Sequence, residues 1–290
     1  MIDSIKYRFL RPLIINPPYS PISRKLASNF LNINDNYSKI NLDEILEKKI
    51  LNLRSDGYFF SDVNSIGLYD NYKKLLKEVK NLGFPENGKI LDIGQNDLLD
   101  FLKKKINEQK NKNYKINITE LFTNSYVNEI SHSNVLKKIS SNYLEVNTKN
   151  TFAEILFDHN LMNLNEPVET QMYHRDHNGI LFLKVFIYLC DVDIENGPYS
   201  YIKESHKKKF MKNYKLQNNK IRNNIRYDNA SVINQLKNNE KIFKGKSGSV
   251  IFSDTTGLHR GYTPNKNNFR LLLSMTFEPK NSFLTFSEIK

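Results

Sequence analysis

The sequence predicts an α+β fold, with helices in the first half of the chain and many short strands in the second. Up to about residue 150, apolar residues recur at the spacing of three to four residues that is typical of helices. From about residue 151 onward, short runs of aromatic and β-branched residues are separated by Gly, Pro and Asn. Because the helices and strands are segregated along the chain, we expect the second half to form a β-sandwich or barrel.

The first predicted helix follows Asn41, whose side chain can cap a helix and which is followed by acidic residues that suit the positive end of the helix. Gly57 is predicted to end this helix, and residues 58–60 to form a short strand. Further helices are predicted at 68–82, at 98–108, within 118–130 and at 134–143.

The second half begins with strands and turns at short intervals. Strands are predicted at 152–161, 168–174, 181–189, 199–202, 249–253 and 271–277, with turns at 196–198 and 245–248. The polar, Asn- and Lys-rich segment near 207–245 is predicted to be an insertion between two strands.

The predicted domain organisation is one domain over residues 41–285, with a helical part at 41–150 and a β core at 151–280. Residues 1–40 are predicted to be an irregular extension, because Pro17, Pro18 and Pro21 disfavour regular structure.

Composition excludes several classes of protein. The 290 residues include 18 Phe and 16 Tyr, which supply enough apolar surface to argue against a disordered chain. The formal net charge is +12, but the basic residues are spread along the chain and no nucleic-acid-binding motif surrounds them. We therefore expect the densest basic stretch, 207–226, to be a solvated or lid-like segment, and nucleic acid not to be the partner.

Cysteine content and hydropathy bear on the compartment. Cys190 is the one cysteine of the sequence, which excludes an internal disulfide and a zinc site with several cysteines. The longest apolar run, 180–190, is too short to span a membrane and is interrupted by Lys184. The N-terminal residues do not read as a signal peptide, so the expected location is the cytoplasm. The sequence gives no indication of the oligomeric state.

A candidate metal site is formed by three residues of the β part. His174 and Asp176 are two apart at the end of a predicted strand, so their side chains point the same way. His259 follows the 249–253 strand and a turn, and it can supply a third ligand. Two histidines and one carboxylate on one face are the ligand set of non-haem Fe(II) oxygenases, whereas the alternative is a histidine that hydrogen-bonds near a turn.

Arg270 strengthens this interpretation. It lies eleven residues after His259, at the start of an apolar strand, and shares its strand face with Leu272 and Ser274. A guanidinium that enters a barrel needs a carboxylate partner, and the 5-carboxylate of 2-oxoglutarate is such a partner. On this hypothesis the buried guanidinium is unpaired until 2-oxoglutarate binds; the alternative is a surface arginine.

Lys184 interrupts an otherwise apolar strand. Alternation places Lys184, Phe186 and Tyr188 on one strand face. Lys184 is expected either to meet a carboxylate, of 2-oxoglutarate or of a substrate, or to reach water from an edge position.

Two stretches of the chain carry a family resemblance. They are MYHRDHNGILFLKVFIYLCDVDIENGPYSYIKESH, at 172–206, and SVIFSDTTGLHRGYTPNKNNFRLLLSMTF, at 249–277. In order, spacing and strand texture these blocks resemble the phytanoyl-CoA dioxygenase-like family of Fe(II)- and 2-oxoglutarate-dependent oxygenases. The resemblance implies a double-stranded β-helix, or jelly roll, with helices packed outside it.

The resemblance also implies residue roles. His174, Asp176 and His259 would be the iron ligands, and Arg270 would anchor 2-oxoglutarate, with Phe186 where family members often carry a Trp. The implied cofactors are Fe(II), 2-oxoglutarate and O2. The implied reaction hydroxylates a small molecule and releases succinate and CO2, and both an anionic and a neutral substrate are open. Related halogenases lack the carboxylate of Asp176, so its presence favours hydroxylation.

The sequence departs from the best-known family members at two further positions. Arg175 stands where a Gln is frequent, and Gly261 where a Ser or Thr often helps to hold the co-substrate. Three other classes remain open at this point: a catalytically silent jelly-roll binding protein, a cupin-type metal enzyme such as an isomerase, and a nucleic-acid-directed oxygenase.

Overall fold

Helices and strands are segregated along the chain as the sequence predicts. The computed structural model describes residues 40–108, 114–160, 167–176, 181–221 and 224–280, and the predicted extension at 1–40 lies almost wholly outside these ranges. The helices are α1 Glu44–Asp56, α2 Tyr69–Asn81, α3 Asn96–Glu108, α4 Asn124–Ser131, α5 Asn134–Leu144, α6 Lys208–Met211 and α7 Asn229–Leu236. None of these described helices is long and apolar enough to cross a bilayer.

The strands form two antiparallel sheets of six strands each. They are β1 Tyr58–Asp62, β2 Lys115–Asn117, β3 Thr148–His159, β4 Tyr173–His174, β5 Leu183–Tyr188, β6 Tyr199–Ile202, β7 Asn218–Ile221, β8 Asn224–Tyr227, β9 Glu240–Phe243, β10 Ser249–Ser253, β11 His259–Gly261 and β12 Phe269–Pro279. The helix-backed sheet has the order β1-β10-β5-β12-β3-β2, and the histidine sheet has the order β7-β8-β4-β11-β6-β9. This jelly roll confirms the predicted fold class.

Alternation along β12 separates the apolar core from a cleft between the sheets. Leu271, Leu273 and Met275 are fully buried in a cluster shared with the helices. Arg270 and Leu272 belong to the opposite strand face and line the cleft. Full burial of a large apolar side chain contributes about 1.5–3 kcal/mol to the stability of the fold. The face of the sheet that packs on the helices therefore supplies stability, and the opposite face can carry polar groups.

The first helix begins two residues later than the sequence predicts. Asp43, and not Asn41, is the N-cap, and its carboxylate accepts a hydrogen bond of 2.8 Å from the backbone N–H of Leu46. The predicted end is confirmed, because Gly57 adopts a left-handed φ of 89° and donates its N–H to the carbonyl of Leu53. A Cβ at Gly57 would also collide with the hydroxyl of Tyr201.

The strand predicted at 168–174 is wrong over most of its length. Glu169–Gln171 form a 3-10 turn instead, with Glu169 at a φ of 42°. The side chain of Gln171 accepts the N–H of Val168 and closes this turn. Only Tyr173 and His174 remain as β4, because local side-chain bonding competes with the strand ladder.

The polar segment near 207–245 contains regular structure that the sequence does not indicate. Strand β8 pairs with β4, and β9 pairs with β6, so parts of this segment extend the histidine sheet on both sides. Val232 and Leu236 of α7 are fully buried. A helix as short as α7 is docked by two buried apolar residues, which is too few to stand out as a helical pattern among the many Lys and Asn residues of the segment.

His159 gives a testable pH dependence of stability. Burial lowers the pKa of His159 to about 4, whereas the unfolded chain has a histidine pKa of about 6.5. Between these values the unfolded state binds the extra proton, so stability is complete above pH 6.5 and falls as the pH falls. The free energy of unfolding, measured in urea, should fall between pH 7 and pH 4.5 in both proteins. We expect this fall to be about 2–3 kcal/mol smaller in His159→Gln than in the wild type. Equal losses in both proteins would contradict this assignment.

Candidate metal and co-substrate site

The two candidate histidine ligands are neighbours across a strand pair. His174 on β4 is the register partner of His259 on β11, so both side chains emerge from the same face of the histidine sheet. Their ring centroids are 4.2 Å apart. Together with Asp176 they form a group whose potential ligand atoms all lie within 4.8 Å of one another. The structure therefore brings together the three residues that the sequence selects.

Backbone carbonyls fix the tautomer of both imidazoles. Nδ1 of His174 lies 2.9 Å from the carbonyl oxygen of Met172, and Nδ1 of His259 lies 3.0 Å from that of Gly257. Since a carbonyl can only accept, each Nδ1 carries the proton and donates it. Each Nε2 therefore keeps a lone pair for a metal, which is the usual arrangement around metal-bound histidines.

The Asp176 carboxylate lies between the two imidazoles. Its Oδ1 is 3.7 Å from Nε2 of His174, and its Oδ2 is 3.7 Å from Nε2 of His259. Two contacts with the turn before His259 hold this segment: the N–H of Asp176 donates to the carbonyl of Thr255 at 2.8 Å, and Nε of Arg175 donates to that of Thr256. Arg175, at the position where the family often has Gln, thus ties the segments of two ligands together.

The electrostatics of the site suit a divalent cation. Burial lowers the pKa of His174, with a further contribution from the neighbouring imidazole, and burial likewise lowers that of His259. Burial alone would raise the pKa of Asp176, but Lys184 and the imidazoles outweigh this effect and lower it. Two neutral imidazoles and one carboxylate are therefore the donor set at neutral pH, which fits iron.

The sequence leaves two alternatives for Lys184, a carboxylate of a bound molecule or water at a sheet edge. In the structure it pairs with a carboxylate, but with that of Asp176. The distance from Nζ to Oδ2 is 2.7 Å, and the two side chains are 16% and 11% exposed. The ammonium thus lies beside the candidate metal ligands, on the cleft side of β5.

The expectation that Arg270 is unpaired without a ligand is wrong. Nε of Arg270 donates to Oδ2 of Asp158 at 3.0 Å, and Nη2 binds the same oxygen. Nη1 donates to the carbonyl of Gly197. The cause is the register of β12 with β3, which places Asp158 directly across from Arg270. The guanidinium is therefore already oriented by the protein.

Gly261 leaves room for this arrangement. A Cβ at this position would lie 2.7 Å from Nη2 and 3.4 Å from Nη1 of Arg270. A Ser or Thr at position 261 would push the guanidinium away from β11. The absence of the family's Ser or Thr at position 261 therefore permits the close approach of Arg270.

Phe186 lies on the cleft face of β5 between Lys184 and Tyr188, as alternation predicts. Its ring contacts that of Tyr199, with centroids 5.0 Å apart. The remaining lining includes residues that sequence reasoning missed, namely Lys115, Glu154, Leu156, Asp158, Thr170 and Tyr199. The alternation of Glu154, Leu156 and Asp158 on β3 is a signal that could have found three of them.

A polar network supports the two ligand strands from behind. Tyr173 and Arg260 are adjacent to the candidate ligands in sequence, so they face the other side of the histidine sheet. The guanidinium of Arg260 lies 4.6 Å from the ring centroid of Tyr173 and 4.0 Å from that of Tyr262. Its Nη2 is 3.6 Å from Oε1 of Glu240, which also accepts a hydrogen bond from Tyr262. These contacts bind β4, β11 and β9 together.

Comparison with protein families gives one match. The family model described as phytanoyl-CoA dioxygenase (PhyH) matches residues 96–270, which is more than half of the chain. The matched region contains the three candidate metal ligands and ends at Arg270. No curated protein matches the chain.

Solved structures with similar folds are distant in sequence. EctD from S. alaskensis in its apoform has 14% identity and a TM-score of 0.54, over 87% of this chain and 84% of that chain. The same protein with 2-oxoglutarate and 5-hydroxyectoine has 13% identity and a TM-score of 0.52, over 87% and 83%. The non-heme alpha ketoglutarate dependent epimerase SnoN from nogalamycin biosynthesis has 12% identity and a TM-score of 0.50, over 81% and 83%. At these identities the likeness shows the fold.

Proposed function

This chain belongs to the phytanoyl-CoA dioxygenase family of iron- and 2-oxoglutarate-dependent oxygenases, and we propose that His174, Asp176 and His259 are its iron ligands. One observation carries the assignment: the potential ligand atoms of these residues lie within 4.8 Å of one another, with both Nδ1 atoms bound to carbonyls. Three protein ligands on one face leave positions for co-substrate and O2.

We assign the 2-oxoglutarate subsite to the helix-backed wall of the cleft. Arg270 would bind the 5-carboxylate, and Lys184 would reach the other end of the co-substrate beside Asp176. Three N–H groups of Arg270 are taken by Asp158 and Gly197, which leaves two of its five for a carboxylate. Phe186 and Leu272 would cover the carbon chain and exclude water.

The proposed reaction is hydroxylation of a small molecule. Iron at this site would supply O2 activation coupled to conversion of 2-oxoglutarate to succinate and CO2. Asp176 favours hydroxylation over halogenation, because its carboxylate occupies the place that a halide would need. The contribution of the chain is to hold the ligands, to orient both substrates and to keep the cleft dry.

The cytoplasmic location stays a prediction. It is supported by Cys190, which is free and fully buried. Burial raises the pKa of its thiol to about 12, so this cysteine packs in the core and does not act as a reactive group.

Succinate release tests the proposed function. Purified protein is incubated with 2-oxoglutarate and a metabolite panel, in parallel with Fe(II) and after iron removal. We expect iron-dependent succinate that rises with a compound that fits the cleft. Equal succinate with and without iron, or none with any compound, would reject the proposal.

A further inference from the structure

Arg226 places a positive charge beside the candidate metal site, on the wall opposite Arg270. Strand β8 flanks β4, and Arg226 is the register partner of His174. Cross-strand partners in an antiparallel pair project from the same sheet face, so Arg226 shares the face that carries both candidate histidine ligands. The cleft lining on this side ends with His174, and Arg226 follows on the next strand. It therefore lies at the rim of the cleft.

Arg226 has no acidic partner in the part of the chain that the structure describes. The residue is half-buried. Within the described ranges, Arg260 and Arg270 each pair with a carboxylate, whereas Arg226 pairs with none. A half-buried guanidinium has lost part of its hydration, and an anion would compensate that loss.

We propose that Arg226 binds an anionic group of the substrate, a carboxylate or a phosphate, next to the metal. This inference rests on the proposed function. Co-substrate and substrate are then held from opposite walls: Arg270 and Lys184 act from the helix-backed sheet, and Arg226 acts from the histidine sheet. The metal ligands lie between them, where a C–H bond of an anchored substrate has to be presented. The guanidinium fork suits bidentate binding of either anion.

A paired fragment panel tests the proposal by binding rather than turnover. Each carboxylate or phosphate monoester is matched with its neutral amide or alcohol, and binding is measured by ligand-observed NMR. The protein carries Ni(II) and saturating 2-oxoglutarate, so that Arg270 and Lys184 are occupied. The variants are Arg226→Gln, Arg226→Lys and Lys241→Gln. The last removes one positive charge from an exposed site on β9 of the same sheet and serves as the matched control.

We expect anionic fragments to bind the wild type and Lys241→Gln more tightly than their neutral partners do. Arg226→Gln should weaken them roughly 10- to 100-fold, as loss of hydrogen bonds to a charged group does. Arg226→Lys should retain part of the affinity, because an ammonium keeps the positive charge but not the planar fork. Absence of anionic binders, equal binding to Arg226→Gln, or an equal loss in Lys241→Gln would overturn the proposal. Succinate release by wild-type protein loaded with Fe(II) in place of Ni(II) reports separately on the proposed function.

Discussion

We expect His174→Ala and His259→Ala to lose metal binding and iron-dependent succinate release. Each variant removes one of two nitrogen donors from a three-ligand group. Loss of a supporting partner alone typically weakens metal binding 10- to 100-fold, so loss of a ligand should weaken it at least about 100-fold. The measurement is calorimetric titration with Ni(II), or with Fe(II) without oxygen, followed by a succinate assay.

The matched control is His132→Ala, since His132 is exposed and lies on the helical side of the molecule. It should bind metal and release succinate as the wild type does. Circular dichroism should show that all three variants remain folded. Normal metal stoichiometry in His174→Ala would place the metal elsewhere.

Arg270→Ala is expected to raise the KM for 2-oxoglutarate by about two orders of magnitude while metal still binds. Truncation of one partner of a buried hydrogen-bonded charge pair typically costs 2–5 kcal/mol or more, which corresponds to at least about 30-fold. Arg270→Lys should recover only part of this loss, because an ammonium does not reproduce the planar fork. Steady-state kinetics in 2-oxoglutarate provide the measurement.

The ion pair between Asp158 and Arg270 provides a second, independent measurement on the Arg270 variants. Both side chains are buried, at 6% exposure for Asp158 and 7% for Arg270, so Arg270→Ala leaves a buried carboxylate without its cation. We expect an accompanying loss of about 3–5 kcal/mol in the free energy of unfolding. The double variant Arg270→Ala/Asp158→Asn should regain much of that stability, yet keep the raised KM. A near-normal KM in Arg270→Ala would reject the assignment and leave Lys184 as the anchor.

Properties that depend on neighbours along the chain could be predicted from the sequence. Helical spacing located α2 and α5, and strand alternation placed Arg270 and Lys184 on the cleft faces of their strands. These predictions succeed because the repeat of a helix or a strand is set by backbone geometry within a few residues. The prediction that strand alternation brings Asp176 to the side of His174 does not apply, because β4 ends at His174, and the N–H of Asp176 is held instead by the carbonyl of Thr255.

The partners of those residues depend on strand register, which only the tertiary structure decides. The pairing of β12 with β3 places Asp158 across from Arg270, and the pairing of β4 with β8 places Arg226 across from His174. These pairs are separated by 112 and 52 positions in the chain, and no periodicity connects them. A shift of one residue in register would move each side chain to the other face of its sheet. The sequence by itself therefore determined which side chains of a strand share a face, whereas long-range packing decided which of those faces meet and which charges pair there.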